Sequence, residues 1–219
     1  MTNSIWPDAD NTADLLRDVK EGDSQAVERL LTRHRPSLHR MIELRLDQRI
    51  KRRVDVSDVV QDVLIEANRR LNDYLQNPVM AFHLWIRQIA KDRLIDAHRR
   101  HRVSAKRSID REQATMVHGA VDQSSLDFVA QLRDPAMTPA AAASQRELAG
   151  QVEAVIARLG NSDREVILMR HYEQLSNGEI AAALGLSEPA ASMRYLRAIR
   201  RLRELLDTDS ATSAAHHGD

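Results

Sequence analysis

Residues 175–206, LSNGEIAAALGLSEPAASMRYLRAIRRLRELL, decide the fold of this chain. They predict two helices joined by a tight glycine turn. Ser176 and Glu179 stand at capping-box spacing, in which each side chain satisfies a free backbone N–H of the other. Ile180, Ala181 and Leu184 then share one face, and Gly185 ends the first helix with a residue that takes the left-handed conformation without steric cost. Ser187 caps the second helix, and Pro189 sits in its first turn, where the missing N–H is tolerated. In that second helix Leu196, Ile199, Leu202 and Leu206 recur at helical spacing, while Arg194, Arg197, Arg200, Arg201 and Arg203 occupy the remaining surface. Cap, glycine turn, second cap and basic face follow the order that a groove-entering helix-turn-helix requires. The plainer alternative is an arginine-rich amphipathic helix whose charges only keep a bundle in solution.

Composition agrees with an all-α architecture. The chain has 219 residues, 42% hydrophobic but only 3% aromatic, with 7 Gly and 6 Pro, which favours helices over a β-sandwich or barrel. There are 32 basic and 32 acidic residues, and the basic ones are bunched, so a net charge of zero does not exclude a polyanionic partner. The absence of cysteine rules out disulfides and thiolate metal sites. Residues 1–16 show no basic start followed by an apolar run, and no stretch reaches membrane-spanning length, so a cytoplasmic protein without a membrane partner is expected.

Working backwards from the helix-turn-helix, residues 147–159 and 163–174 predict two further helices of a C-terminal unit spanning 145–207. The tail, 208–219, is small and polar and is expected to be disordered. Residues 103–144 lose helical periodicity and read as a linker, with a short helix near 126–132. The N-terminal unit, 12–102, is expected to hold four or five helices. Thr12 is placed to cap the first and Ser24 to start the second, with Pro36 opening another through Leu46. Asp55 or Ser57 caps a helix with the apolar stripe Val59, Val60, Val63, Leu64, Ala67 and Leu71. A helix from Phe82 onward carries the second basic concentration: eight basic against two acidic side chains in residues 85–107. Such a face attracts phosphates, and Trp85 and Phe82 at its start offer surfaces for unstacked bases. Phe82 is the one expected to be buried packing.

These strings, in this order, resemble the sigma-70 family of bacterial RNA polymerase initiation factors, of the small extracytoplasmic-function (ECF) type. The likeness is carried by VKEGDSQAVERLLTRHRPSLHRMI, DVSDVVQDVLIEANRRL, FHLWIRQIAKDRLIDAHRR and LGNSDREVILMRHYEQLSNGEIAAALGLSEPAASMRYLRAIRRLRE. The resemblance implies a sigma-2-like helical bundle and a sigma-4-like helix-turn-helix domain. It further implies that Asp58, Gln61 and Asp62 dock on the clamp helices of the largest subunit of core polymerase. Trp85, Arg87, Lys91, Asp92, Arg93, Arg99 and Arg100 would contact the melted −10 element. Ser192, Met193, Arg194 and Arg197 would lie nearest base edges of the −35 element, with Arg200 or Arg201 nearer phosphate. The implied partners are core RNA polymerase and promoter DNA, with room for an anti-sigma factor.

Two positions depart from the family's habit. Asp92 stands where Asn is common, replacing a group that can donate with one that only accepts. Ser192 and Met193 stand where a basic residue followed by a small polar one is frequent, which shifts readout toward hydroxyl and apolar contacts. Other functional classes fit less well. Asp55, Asp58 and Asp62, or His98 and His101, are ingredients of a metal or acid/base site. The histidines, however, lie in a basic run that repels a cation, and neither a phosphate loop nor a nucleophile arrangement accompanies them, so no catalytic residue, metal or cofactor is expected. A conventional regulator would leave residues 85–107 without a purpose.

Overall fold

A computed structural model describes residues 4–46, 53–105, 128 and 142–216, and among these the chain is helical with no strand. It divides into two compact units, residues 1–115 and 116–219. The first contains α1 (Ala9–Lys20), α2 (Ser24–Arg45), α3 (Val56–Gln76) and α4 (Phe82–Ala105). The second contains α5 (Ala142–Arg158), α6 (Asn161–Ile167), a π-helical turn (Leu168–Tyr172), α7 (Asn177–Leu184) and α8 (Glu188–His216).

In the first unit, α2 packs against α1, α3 and α4, and α3 packs against α4. The core is built from Leu30, Leu38, Met41 and Ile42 of α2, Val60, Val63 and Ala67 of α3, and Phe82, Ile86 and Ala90 of α4, all essentially without exposure. Burying each large side chain contributes about 1.5–3 kcal/mol, which is what holds these amphipathic helices together. The helix starts differ partly from expectation. Asp8, not Thr12, caps α1: its carboxylate accepts from the Asn11 N–H at 2.9 Å. Thr12 lies one turn inside, buried, with its hydroxyl donating to the Asp8 carbonyl. The Asn11 N–H bond is also the main reason the Asp8 carboxyl is held below its ordinary pKa. Asp55 caps α3, accepting from the Ser57 N–H at 2.8 Å.

Pro36 does not open a helix but lies within α2. It sits on the exposed side, where the carbonyl of Thr32 left without its helical donor can bind water. Buried His34, Ser37 and Leu38 on the opposite face keep the helix continuous across it.

In the second unit α8 packs on α5, α6 and α7. Its buried positions are Ala191, Ala198 and Leu202, with Tyr195 half-buried between them. Leu196 is therefore not on the core face as expected but 53% exposed, and Ile199 and Leu206 are only half-buried. Two small alanines let the helix approach closely, and this rotates the leucine row outward. Helix α8 also runs to His216 through the stretch expected to be disordered; Arg158 of α5 pairs with Asp209 at 2.5 Å and ties the helix extension down. Of the expected linker, residues 106–127 and 129–141 lie outside the described residues, as does the short helix placed near 126–132 apart from Phe128. That residue is 1% exposed, with its ring 3.9 Å from the ring of His171.

Candidate nucleic-acid and polymerase interface

The helix-turn-helix is built as its residues dictate. Ser176 and Glu179 form the reciprocal capping box, with the Ser176 N–H donating to Glu179 at 2.7 Å. Gly185 has φ 63°, the left-handed conformation that closes α7 and turns the chain toward α8. A Cβ at Gly178 would come within 3.3 Å of the Glu188 carboxylate, which would have to give by a few tenths of an ångström. The Asn177 side chain donates to the Glu188 carbonyl at 3.2 Å and accepts from the Ser192 hydroxyl at 3.2 Å, fastening the two helices. The Ala190 N–H donates to the Ser187 hydroxyl at 3.4 Å.

With Ala191, Ala198 and Leu202 facing inward, helical geometry aims Met193, Leu196, Arg197 and Arg200 directly away from the core. Met193 is 55% exposed. Arg194 and Arg201 flank this outward row on one side, and Ser192 flanks it on the other, half-buried and engaged with Asn177. Arg201 pairs with Glu204 at 3.1 Å. Among the described residues Arg194, Arg197 and Arg200 have no carboxylate within ion-pair distance. The outward Leu196 escaped sequence reasoning, although the small residues Ala191 and Ala198, seven positions apart, were the available signal for the true core face.

Behind α8, Tyr195 Oη and His171 Nε2 lie 2.9 Å apart in a hydrogen bond. Burial lowers the His171 pKa to about 4, helped by nearby Arg170, so the ring is neutral at physiological pH. Just beyond the π-helical turn that carries His171, Gln174 stands at φ 57° and its side chain donates to the His171 carbonyl at 2.8 Å. Such turns insert an extra residue per turn and re-aim side chains, here setting the ring under α8.

In the first unit Asp58, Gln61 and Asp62 are all exposed on α3, while Val60 and Leu64 behind them are buried. Arg35 of α2 donates to Gln61 at 3.4 Å. On α4, Trp85, Asp92 and Arg99 fall on one outward stripe by helical geometry, with Arg93 and Arg100 turned toward α3. Lys91 is half-buried and lies roughly a third of a turn from that stripe. Trp85 is half-buried, braced by Tyr74 at 4.7 Å and Phe82 at 5.3 Å between ring centres. Phe82 itself is 3% exposed, the packing role expected of it.

Arg87, expected at the DNA surface, is 1% exposed and belongs to the interior of the unit. The helix pattern explains this: Arg87 lies next to Ile86 and one turn from Ala90, on the inner face, and its charge alone made it look superficial. The basic face is also less bare than its sequence. Arg93 pairs with Glu66 at 2.7 Å, Arg99 with Asp96 at 3.3 Å and Arg100 with Asp62 at 3.8 Å. Asp55 is a helix cap, and among the described residues no three His, Asp or Glu side chains are grouped to hold a metal ion.

Comparison with known proteins identifies the two units. Residues 30–103 match sigma-70 region 2, and residues 149–202 match sigma-70 region 4. RNA polymerase sigma factor CnrH of Cupriavidus metallidurans is 30% identical over 156 residues, 71% of this chain and 75% of that protein. RNA polymerase sigma factor NccH of Alcaligenes xylosoxydans is 28% identical over 159 residues, covering 70% and 74% respectively. The solved structure of CnrH in complex with the cytosolic domain of CnrY is 26% identical and covers 92% of this chain and 99% of that one, with a TM-score of 0.56. A region 2 match, a region 4 match and a relative 30% identical over 75% of its length together mean that the chain belongs to the sigma-70 family of RNA polymerase sigma factors, in its ECF group.

Proposed function

We propose that this factor divides transcription initiation between its two units, residues 12–102 serving polymerase docking and −10 opening and residues 145–207 serving −35 recognition. The observation that carries the proposal is the outward row of α8, where Met193, Arg197 and Arg200 face away from a fully buried opposite side. A helix so mounted presents guanidinium groups to guanine edges and an apolar side chain to a thymine methyl. Arg194 joins the base readout, Arg200 and Arg201 approach phosphate, and Ser192 exchanges its bond to Asn177 for a base edge on docking.

Asp58, Gln61 and Asp62 present a polar, acidic row to the clamp helices of the polymerase. The stripe of Trp85, Asp92 and Arg99, flanked by Arg93 and Arg100, receives the unpaired −10 strand, with Trp85 stacking a freed base and Lys91 contributing charge from the side. Arg87 is left out of the contact set because of its burial. The polymerase performs the chemistry, so the factor itself acts in the cytoplasm without catalysing a reaction. Among the described residues no helix is long and apolar enough to cross a membrane. The relative CnrH was solved with the cytosolic domain of CnrY, which supports regulation of this chain by an anti-sigma protein.

In vitro transcription with core polymerase on genomic fragments, followed by mapping of start sites, tests the proposal. Discrete starts that share two upstream elements are expected. Transcripts no different from those of core polymerase alone would refute it.

A further inference from the structure

The arginines of α4 are secured in different ways. Arg99 and Arg100 pair on the open surface, with side chains 78% and 63% exposed. Arg93, 29% exposed, reaches across to Glu66 of α3 at 2.7 Å, and the Glu66 side chain is only 10% exposed. The same carboxylate accepts from Arg70 Nε at 2.5 Å and from Arg69 at 3.3 Å. Burial alone would raise the Glu66 pKa, but Arg70, Arg93 and Arg69 outweigh it and hold the carboxyl below its ordinary range, so it stays ionised at neutral pH. Glu66, Arg69 and Arg93 border a cleft of about 370 Å³ between α3 and α4, which Arg99 and Arg100 also line.

Glu66 lies one helical turn from the exposed Asp62, yet it sits too deep to meet either polymerase or DNA. We infer that Glu66 is a positioning residue for strand capture: it bridges α3 to α4 and fixes the Arg93 guanidinium at the cleft mouth to receive a backbone phosphate of the melted strand. An unrestrained arginine must lose the freedom of its long side chain on binding, whereas one held on a single edge by a carboxylate has already lost it. At the other edge Asp96 stands 3.8 Å from Nη1, beyond hydrogen-bond distance, so a phosphate displaces only this weaker contact. The bridge also ties the strand-capturing helix to the helix that carries the docking row. The inference rests on the proposed reading of α4 as the strand-binding surface.

The test uses the full chain assembled with core polymerase and a fluorescent single-stranded oligodeoxynucleotide of randomised sequence, read by anisotropy. Glu66→Gln, which keeps size but removes charge, is expected to weaken binding about fivefold, as is Arg93→Ala. The double variant is expected to bind no more weakly than Arg93→Ala alone, because the two residues act as one unit. Arg70→Met, which removes a Glu66 partner that does not line the cleft, is expected to bind as the wild type does. Affinity for core polymerase stays unchanged in all four. Additive losses in the double variant, or an Arg70→Met loss equal to that of Glu66→Gln, would assign Glu66 a general packing role and overturn the inference. Normal binding by Arg93→Ala would overturn the strand-surface reading as well. Should circular dichroism show Glu66→Gln unfolded, Glu66→Asp, one methylene short of Arg93, carries the same cycle with the same expected non-additivity.

Discussion

Helices α4 and α8 both present arginines to solvent, but they hold them differently. On α8 Arg194, Arg197 and Arg200 stand without a carboxylate neighbour among the described residues, and only Arg201 is paired, with Glu204. On α4 Arg93, Arg99 and Arg100 each have an acidic partner, two of them contributed by α3. A bare cation meets DNA by displacing only water and counterions, whereas a paired one must exchange one anion for another. The difference fits a division of labour in which α8 engages duplex DNA directly and α4 engages a strand that polymerase docking and melting have first made available.

Acidification is the largest expected perturbation and should treat the two units alike. Each buries a neutral histidine: His34, whose Nδ1 donates to the Leu30 carbonyl and whose ring meets Phe82 edge-on at 4.9 Å, and His171 beneath Tyr195. Burial lowers both pKa values from 6.5 to about 4. Between those values the unfolded chain takes up protons that the folded chain refuses. Stability present above pH 6.5 is therefore lost as pH falls toward 4, by roughly 3 kcal/mol per histidine at the lower limit. Thermal melts at neutral pH and near pH 4.5 should show this, and His34→Gln should blunt the loss in the first unit only. An acid-insensitive melting temperature would mean that these rings are hydrated.

Charge reversal breaks the symmetry. Asp58→Lys with Asp62→Lys should weaken core polymerase binding about ten- to hundredfold while helicity is retained, because both carboxylates sit on an exposed row over a buried one. A pull-down titration with unchanged affinity would remove α3 from the interface. Duplex −35 binding by α8 should be untouched, which separates the two surfaces within one variant.

Next in size are the α8 arginines. Arg194→Ala and Arg197→Ala should each cost roughly 1–3 kcal/mol and relax preference at particular base pairs. Arg201→Ala should cost less and act evenly, since its guanidinium already has Glu204. Binding measured across a randomised −35 library distinguishes these patterns. Equal, sequence-independent losses for all three would reduce α8 to a phosphate-binding helix.

The smallest expected effects on polymerase and duplex binding are on α4. Trp85→Ala should spare polymerase and duplex binding but impair opening, because stacking on a freed base contributes about 1–3 kcal/mol only after the base leaves the duplex. A premelted template should restore much of the activity. Asp92→Asn should change which base is favoured in the melted element, since it adds a donor to a site that only accepts. Permanganate reactivity and transcription from −10-randomised templates measure both; normal opening with unaltered preference would leave α4 a plain electrostatic surface.

Much of this architecture is legible residue by residue. The capping box of Ser176 and Glu179, the left-handed Gly185, the cap at Asp55 and the buried stripe of α3 are local devices, set by hydrogen bonds and spacing within a few residues. The exposure of Asp58, Gln61 and Asp62 is legible too, because a helix with a regular apolar stripe dictates its opposite face. The errors have two origins. Pro36, Leu196 and Arg87 mislead when judged by side-chain type because packing within each unit decides them, whereas Thr12 loses the cap to Asp8 only four residues away. Pro36 is carried through by the packing on the far side of α2, and Leu196 is turned out by the close seating of Ala191 and Ala198.

The sequence by itself determined an all-α chain with a glycine-turned helix-turn-helix, an acidic row on α3 and two concentrations of arginine, because capping, turn formation and helical period are short-range. Tertiary structure alone decided which arginines are free, which are paired across helices and which is buried. Those outcomes depend on the distance between side chains on different helices, such as Arg93 and Glu66, and on the water excluded when those helices pack, neither of which is written in the order of residues along one helix.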